Sequence, residues 1–144
     1  MPNPFAHIEL TTSDLAAAKK FYKKLFDWKL TDMPMDQGAV YTMIAPGKGA
    51  GGGMQAKPMP EAPVTWLPYV EVDSVKRTLA KAEKAGAKVV LPAMDIGSNG
   101  IIGVFVDPTG ASLGVWTKAK VTAKKTAKKA AKKAAKKTAK KAPK

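Results

Sequence analysis

Ile8-Glu9-Leu10 and Val70-Glu71-Val72 are two short alternating stretches, each followed closely by a capping residue and an apolar one, Asp14-Leu15 after the first and Ser74-Val75 after the second. Alternation of apolar and polar residues marks a strand, and Ser, Thr and Asp side chains satisfy the free N–H groups at the start of a helix. Each stretch therefore reads as a strand running into a helix. The register between them carries through the segments that follow, so the simplest account of the chain is an internal duplication.

Working outward in the first copy, Leu15, Ala18, Phe21, Tyr22, Leu25 and Phe26 recur at helical spacing, with Lys19, Lys20, Lys23 and Lys24 on the other face. This predicts an amphipathic surface helix from Leu15 to Phe26. Asp27-Trp28-Lys29-Leu30 resumes extended structure, Ala39 to Ile44 forms a second strand, and the glycines from Gly47 to Gly53 imply a turn into a third. The second copy repeats the order. Trp66 to Val72 reads as a strand, Val75 to Ala85 as a helix closed by Gly86, and Lys88 to Leu91 as a strand. Gly103 to Val106 and Ser112 to Trp116 then read as a hairpin around Asp107-Pro108-Thr109-Gly110. Pro58, Pro60 and Pro63 stiffen the connector between the copies. The expectation is an α+β fold of two βαβββ modules, about 4–56 and 64–118, in one domain spanning 4–118.

Charge divides the chain differently. Of 25 basic residues, 13 are lysines from Lys118 onward, where no Asp or Glu occurs; the remaining 12 nearly balance the 11 acidic residues. The formal charge of +14 is therefore a property of the C-terminal segment, not of the fold. Absence of cysteine excludes disulfides, thiolate nucleophiles and Cys-ligated zinc. Met1-Pro2-Asn3-Pro4-Phe5 lacks the pattern of a signal peptide, and no stretch approaches the roughly 20 apolar residues of a membrane span. These features predict a cytoplasmic protein with no membrane association.

Paired βαβββ units with Phe21-Tyr22 in the first helix and Asp107-Pro108-Thr109-Gly110 before the last strand resemble the vicinal oxygen chelate superfamily, which includes glyoxalase I, bleomycin-resistance proteins and extradiol dioxygenases. The resemblance implies a cup-shaped mixed sheet. Enzymatic members hold a divalent metal there with one His, Gln or Glu from each of four strands. His7, the chain's one histidine, stands at the first of these positions, whereas Leu67 and Gly114 stand at two others and offer no donor. Near the fourth, in Gly53-Met54-Gln55, only Gln55 carries a donor oxygen. Two ligands fall short of the three or more that a catalytic metal usually takes, so the expectation is no metal and no cofactor.

His7 is the candidate general base or ligand-binding group, with a hydrogen-bonded interior histidine as the plainer alternative. Tyr41, Gln55, Trp66, Tyr69, Phe105 and Trp116 are candidates for lining a small-molecule pocket, although each aromatic taken singly also suits core packing. Glu9 and Glu71 alternate with apolar neighbours and are expected in solvent. Gly47-Lys48-Gly49-Ala50-Gly51-Gly52-Gly53 lacks the Gly-Lys-Ser/Thr ending of a phosphate loop and reads as a flexible loop beside the cup.

Residues 119–144 repeat Thr/Ala-Ala-Lys-Lys, a composition that resembles the C-terminal arms of linker histones and bacterial histone-like proteins. Without large apolar side chains the segment cannot offset an ordering cost of about 1–2 kcal/mol per residue, which predicts disorder when free. Lys124, Lys125, Lys128, Lys129, Lys132, Lys133, Lys136, Lys137, Lys140 and Lys141 are its expected nucleic-acid contacts. Binding would be non-specific, because lysine on a flexible arm reads no base edges, and would bring the protein to the nucleoid.

Three functions follow as candidates. The first is a metal-free domain of the glyoxalase/bleomycin-resistance type that binds or sequesters an unknown small molecule, tethered to nucleic acid by its tail. The second is a glyoxalase- or dioxygenase-like metalloenzyme, a lyase or oxidoreductase centred on His7 and Gln55. The third is a histone-like DNA-coating protein with an inert carrier domain. A single chain and a homodimer are both compatible with the sequence.

Overall fold

The structure is a computed structural model and describes residues 2–120; the basic repeats, including the paired lysines from Lys124 to Lys141, lie outside the described residues. The first module runs β1 (Phe5–Thr12), α1 (Leu15–Leu25), β2 (Lys29–Pro34), β3 (Val40–Ala45) and β4 (Gly51–Ala56). The second runs β5 (Thr65–Glu71), α2 (Val75–Lys84), β6 (Lys88–Asp95), β7 (Ile101–Val106) and β8 (Ser112–Thr117). A short 3-10 turn, Asp36–Gly38 in one and Gly97–Asn99 in the other, falls at the same place in each module.

The strands form one eight-stranded sheet in the order β2-β3-β4-β1-β5-β8-β7-β6. β1 pairs parallel with β4, β5 pairs parallel with β8, and β1 and β5 meet antiparallel at the centre. The order reads as a mirror about that seam, as duplication requires. Asp14 caps α1 by accepting from the Ala17 amide at 2.9 Å, and Ser74 caps α2 by accepting from the Arg77 amide at 3.2 Å; such caps each contribute about 1 kcal/mol.

Both helices cover one face of the sheet. Under α1, Leu10, Ile44 and Met54 form a core with Leu15, Ala18, Tyr22, Trp28, Leu30 and Trp66 packed around it; under α2, Val72, Val75, Leu79 and Val115 do the same with Val70, Val89 and Phe105. Because side chains alternate along a strand, the residues between these inward ones line the opposite face, the inside of the cup.

Two expectations change. Gly51, Gly52 and Gly53 are strand residues of β4, paired with His7, Ile8 and Glu9, rather than part of a loop. Phe21, Leu25 and Phe26 are about half exposed, because α1 turns only the Leu15, Ala18 and Tyr22 side to the sheet.

Candidate functional site

The central strands set the floor of the cup. His7 and Glu9 of β1 lie opposite Tyr69 and Leu67 of β5 on one side and Gly51 and Gly53 of β4 on the other. Gln55 of β4 faces Tyr41 of β3, Tyr69 faces Gly114 of β8, and Glu71 faces Trp116. These residues therefore share a face, with the partly exposed Met33 and Met43 on one wing and Met94 on the other.

Four of them form a continuous hydrogen-bonded chain. The Tyr41 hydroxyl donates to Glu9 Oε2 at 2.9 Å, Gln55 Nε2 donates to Glu9 Oε1 at 2.9 Å, and His7 Nε2 lies 2.7 Å from the Tyr41 oxygen. While Glu9 is ionised, the single phenolic proton is committed to it, so His7 donates through Nε2. That fixes the neutral tautomer, with Nδ1 left as an acceptor. Burial lowers the imidazole's pKa below its usual 6.5. Burial also raises the Glu9 carboxyl above its usual value, against the bonds from Tyr41 and Gln55 that lower it. Desolvation and the nearby Glu9 charge raise both Tyr41 and Tyr69, so these phenols stay protonated.

Two glycines make room for the rings. A Cβ on Gly53 would overlap the Tyr41 phenol, and one on Gly114 would overlap the Tyr69 ring. Tyr69 is only 4 % exposed and meets His7 edge-on, with ring centroids 6.0 Å apart. Gly114 thus stands where the family resemblance implies a ligand because an aromatic ring occupies the space above it.

Of the sequence candidates, His7, Tyr41, Gln55 and Tyr69 come together. Trp116 shares the cup face but binds away, its indole N–H donating to the Asn99 carbonyl at 2.7 Å. Trp66 and Phe105 lie on the other face, in the helix-covered cores; the Trp66 indole donates to the Tyr22 hydroxyl at 3.1 Å. The expectation that Glu9 and Glu71 are solvated is corrected. The face opposite Ile8, Leu10, Val70 and Val72 is the cup interior, so Glu9 sits at the centre of the network. The Glu71 side chain is 18 % exposed and lies 3.5 Å from the Lys118 ammonium. Parity with His7 was the available signal for Glu9. Two shallow clefts, one beside Thr12 and Lys57–Pro60 and one beside Lys23 and Phe26–Leu30, contain none of these groups, and the chemistry rather than the depth of a cavity identifies the site.

The donor set does not fit a divalent metal. His7, Glu9 and Gln55 carry the floor's metal-type donor atoms, but they are tied to one another through the Tyr41 hydroxyl and the Gln55 N–H, and among the described residues no group of three His, Cys, Asp or Glu side chains could hold an ion.

Residues 5–115 match the profile of the Glyoxalase/Bleomycin resistance protein/Dioxygenase superfamily. A protein of Mycobacterium tuberculosis provisionally named glyoxylase CFP32 is 39% identical over 113 residues, covering 76% of this chain and 43% of its own. Anthracycline biosynthesis protein DnrV of Streptomyces peucetius is 30% identical over 137 residues, covering 81% of this chain and 48% of its own. The chain therefore spans less than half the length of these curated relatives. Among solved structures, methylmalonyl-CoA epimerase from Mycobacterium tuberculosis superposes with a TM-score of 0.62 at 18% identity, over 81% of this chain and 89% of that one, a likeness of fold. With its duplicated βαβββ modules and the profile match across nearly all the described residues, this chain belongs to the Glyoxalase/Bleomycin resistance protein/Dioxygenase superfamily.

Proposed function

We propose that the cup is a small-molecule-binding site that works through hydrogen bonds rather than through a bound metal, in a chain whose lysine-rich C-terminal segment associates with nucleic acid. The observation that carries the first part is the His7–Tyr41–Glu9–Gln55 chain on the floor. It fixes four polar side chains in one arrangement, the preorganisation that small-molecule sites use for orientation, between wings that are largely apolar. The relatives' names, a glyoxylase and an anthracycline biosynthesis protein, support a small organic ligand.

The test is a thermal-unfolding series on the purified chain, as isolated, after chelator treatment and with each common divalent metal added. A metal at 100 times its dissociation constant would add about 2.7 kcal/mol and raise the midpoint by several degrees. Unchanged midpoints are expected. A rise with one metal at one equivalent would support the metalloenzyme reading instead.

The nucleic-acid part rests on the 13 lysines after Trp116, a segment without acidic residues. In a mobility-shift titration the full chain should bind duplex DNA with a log–log salt slope of about −0.9 per phosphate neutralised, and residues 1–118 should bind far more weakly. Equal binding by the truncated chain would refute it.

A further inference from the structure

We infer that the cup selects ligands whose buried end is a hydrogen-bond-donating cation, an amine or ammonium group carried on an apolar body. The inference rests on the reading of the cup as a ligand site and adds its chemical class. Three observations carry it.

The first is a count of free hydrogen-bonding capacity. Glu9 accepts one bond at each carboxylate oxygen, which leaves further lone pairs on both. His7 spends Nε2–H on Tyr41 and keeps Nδ1 as an acceptor; Gln55 spends an N–H on Glu9 and keeps its carbonyl oxygen. Apart from the second Gln55 N–H and the Tyr69 hydroxyl, the floor offers acceptors, so the complementary head group is rich in donors.

The second is charge. The ion pairs among the described residues join Lys19 to Asp32 and Lys118 to Glu71, and neither reaches Glu9. A partly buried carboxylate with two neutral donors and no cation is under-neutralised, and a cation entering the cup supplies what the fold withholds.

The third is Tyr69. It is more than nine-tenths buried, yet its hydroxyl makes no hydrogen bond among the described residues. No fully sealed side-chain polar atom lacks a partner there, so this hydroxyl keeps a narrow opening, and its strand register puts Tyr69 on the cup face. The Tyr41 and Tyr69 rings flank His7. Leu67, Ile102 and the wing methionines take the apolar body.

The probes are benzylammonium, benzyl alcohol and phenylacetate, which carry one ring and differ in head-group charge. Each is titrated into the full chain while the Gln55 side-chain amide and Tyr69 ring resonances are followed by NMR. Salt is held near physiological strength, where attraction between anions and the lysine segment is screened beyond about 8 Å. Benzylammonium should bind at least about tenfold more tightly than phenylacetate, a ratio that a small part of the attraction between neighbouring unit charges supplies. Glu9→Gln should erase that preference, and Tyr69→Phe should weaken benzylammonium and benzyl alcohol together while keeping their order. If phenylacetate matches or exceeds benzylammonium at the same resonances, the cup binds ligands but the class is wrong. If none of the three moves those resonances at millimolar concentration, the ligand-site reading falls as well. The wild-type comparison decides the point even where a variant fails to fold.

Discussion

Replacing Tyr41 by Phe removes one oxygen and leaves the ring over Gly53, so packing is preserved and only the two bonds at that oxygen are lost. A hydrogen bond to a charged group contributes about 1.5–3 kcal/mol and a neutral one about 0.5–1.5 kcal/mol. Because the cup admits water, part of this is recovered, and the expected loss of stability at neutral pH is about 2 kcal/mol. With a urea slope of about 2 kcal/mol per molar, the unfolding midpoint falls by about 1 M. The loss should depend on pH. Glu9 is held above its usual value by burial, and removing the phenol raises it further, so acidification converts it to the neutral form early. Below about pH 4 the missing bond is a neutral one and the loss shrinks to about 1 kcal/mol or less. Urea denaturation of the variant and the parent at neutral and acidic pH makes the measurement. Equal losses at both pH values, or a loss under about 0.5 kcal/mol at neutral pH, would refute the reasoning that Tyr41 donates to an ionised Glu9.

Gly114→Ala puts a methyl group into the Tyr69 ring, and overpacking of this kind should cost about 1–3 kcal/mol in urea denaturation; an unchanged midpoint would mean that Tyr69 has somewhere else to go. Met54 is fully buried between Leu10 and Ile44, so Met54→Ala should cost about 2–5 kcal/mol, and a value under 1 kcal/mol would show a core able to collapse. His7, the chain's one imidazole, should titrate below 6.5 by NMR. Its lowered pKa contributes stability that is present above 6.5 and lost as pH falls toward the folded value. Glu9, raised, contributes the opposite slope, present below 4.5 and lost as pH rises through its folded value. His7→Gln should therefore remove the decline in stability just below pH 6.5, and a midpoint for His7 at or above 6.5 would refute the burial argument.

The duplication, both helices and every strand were legible because period-2 alternation and capping residues are local signals. The helix ends fell within a residue or two of Asp14, Phe26, Ser74 and Ala85. The site was half legible. His7, Tyr41, Gln55 and Tyr69 could be named from residue type, but Trp66 and Phe105 could not be separated from them, since aromatic residues serve a cup and a core equally well and only strand register decides the face. Glu9 was missed through an assumption about the sheet. A carboxylate alternating with Ile8 and Leu10 reads as solvent-facing when one side of the sheet faces water, whereas here the second side curls around an interior. The glycines of β4 misled for a related reason: Gly53 makes room for Tyr41 to lie across the strand, and Gly52 lets the Ile8 carbonyl approach closely.

The seam between β1 and β5 makes the halves inseparable in a way that the proline-rich connector does not. Each central strand satisfies one edge with its own module and the other with its neighbour's backbone. Cleavage between Pro58 and Pro63 would cut no strand, yet each fragment would be left with a bare edge of unpaired amides and carbonyls matched to the other. Two such fragments are natural partners for reassembly by complementation, and on an intact chain the same edges permit an exchange in which each module pairs with that of another molecule.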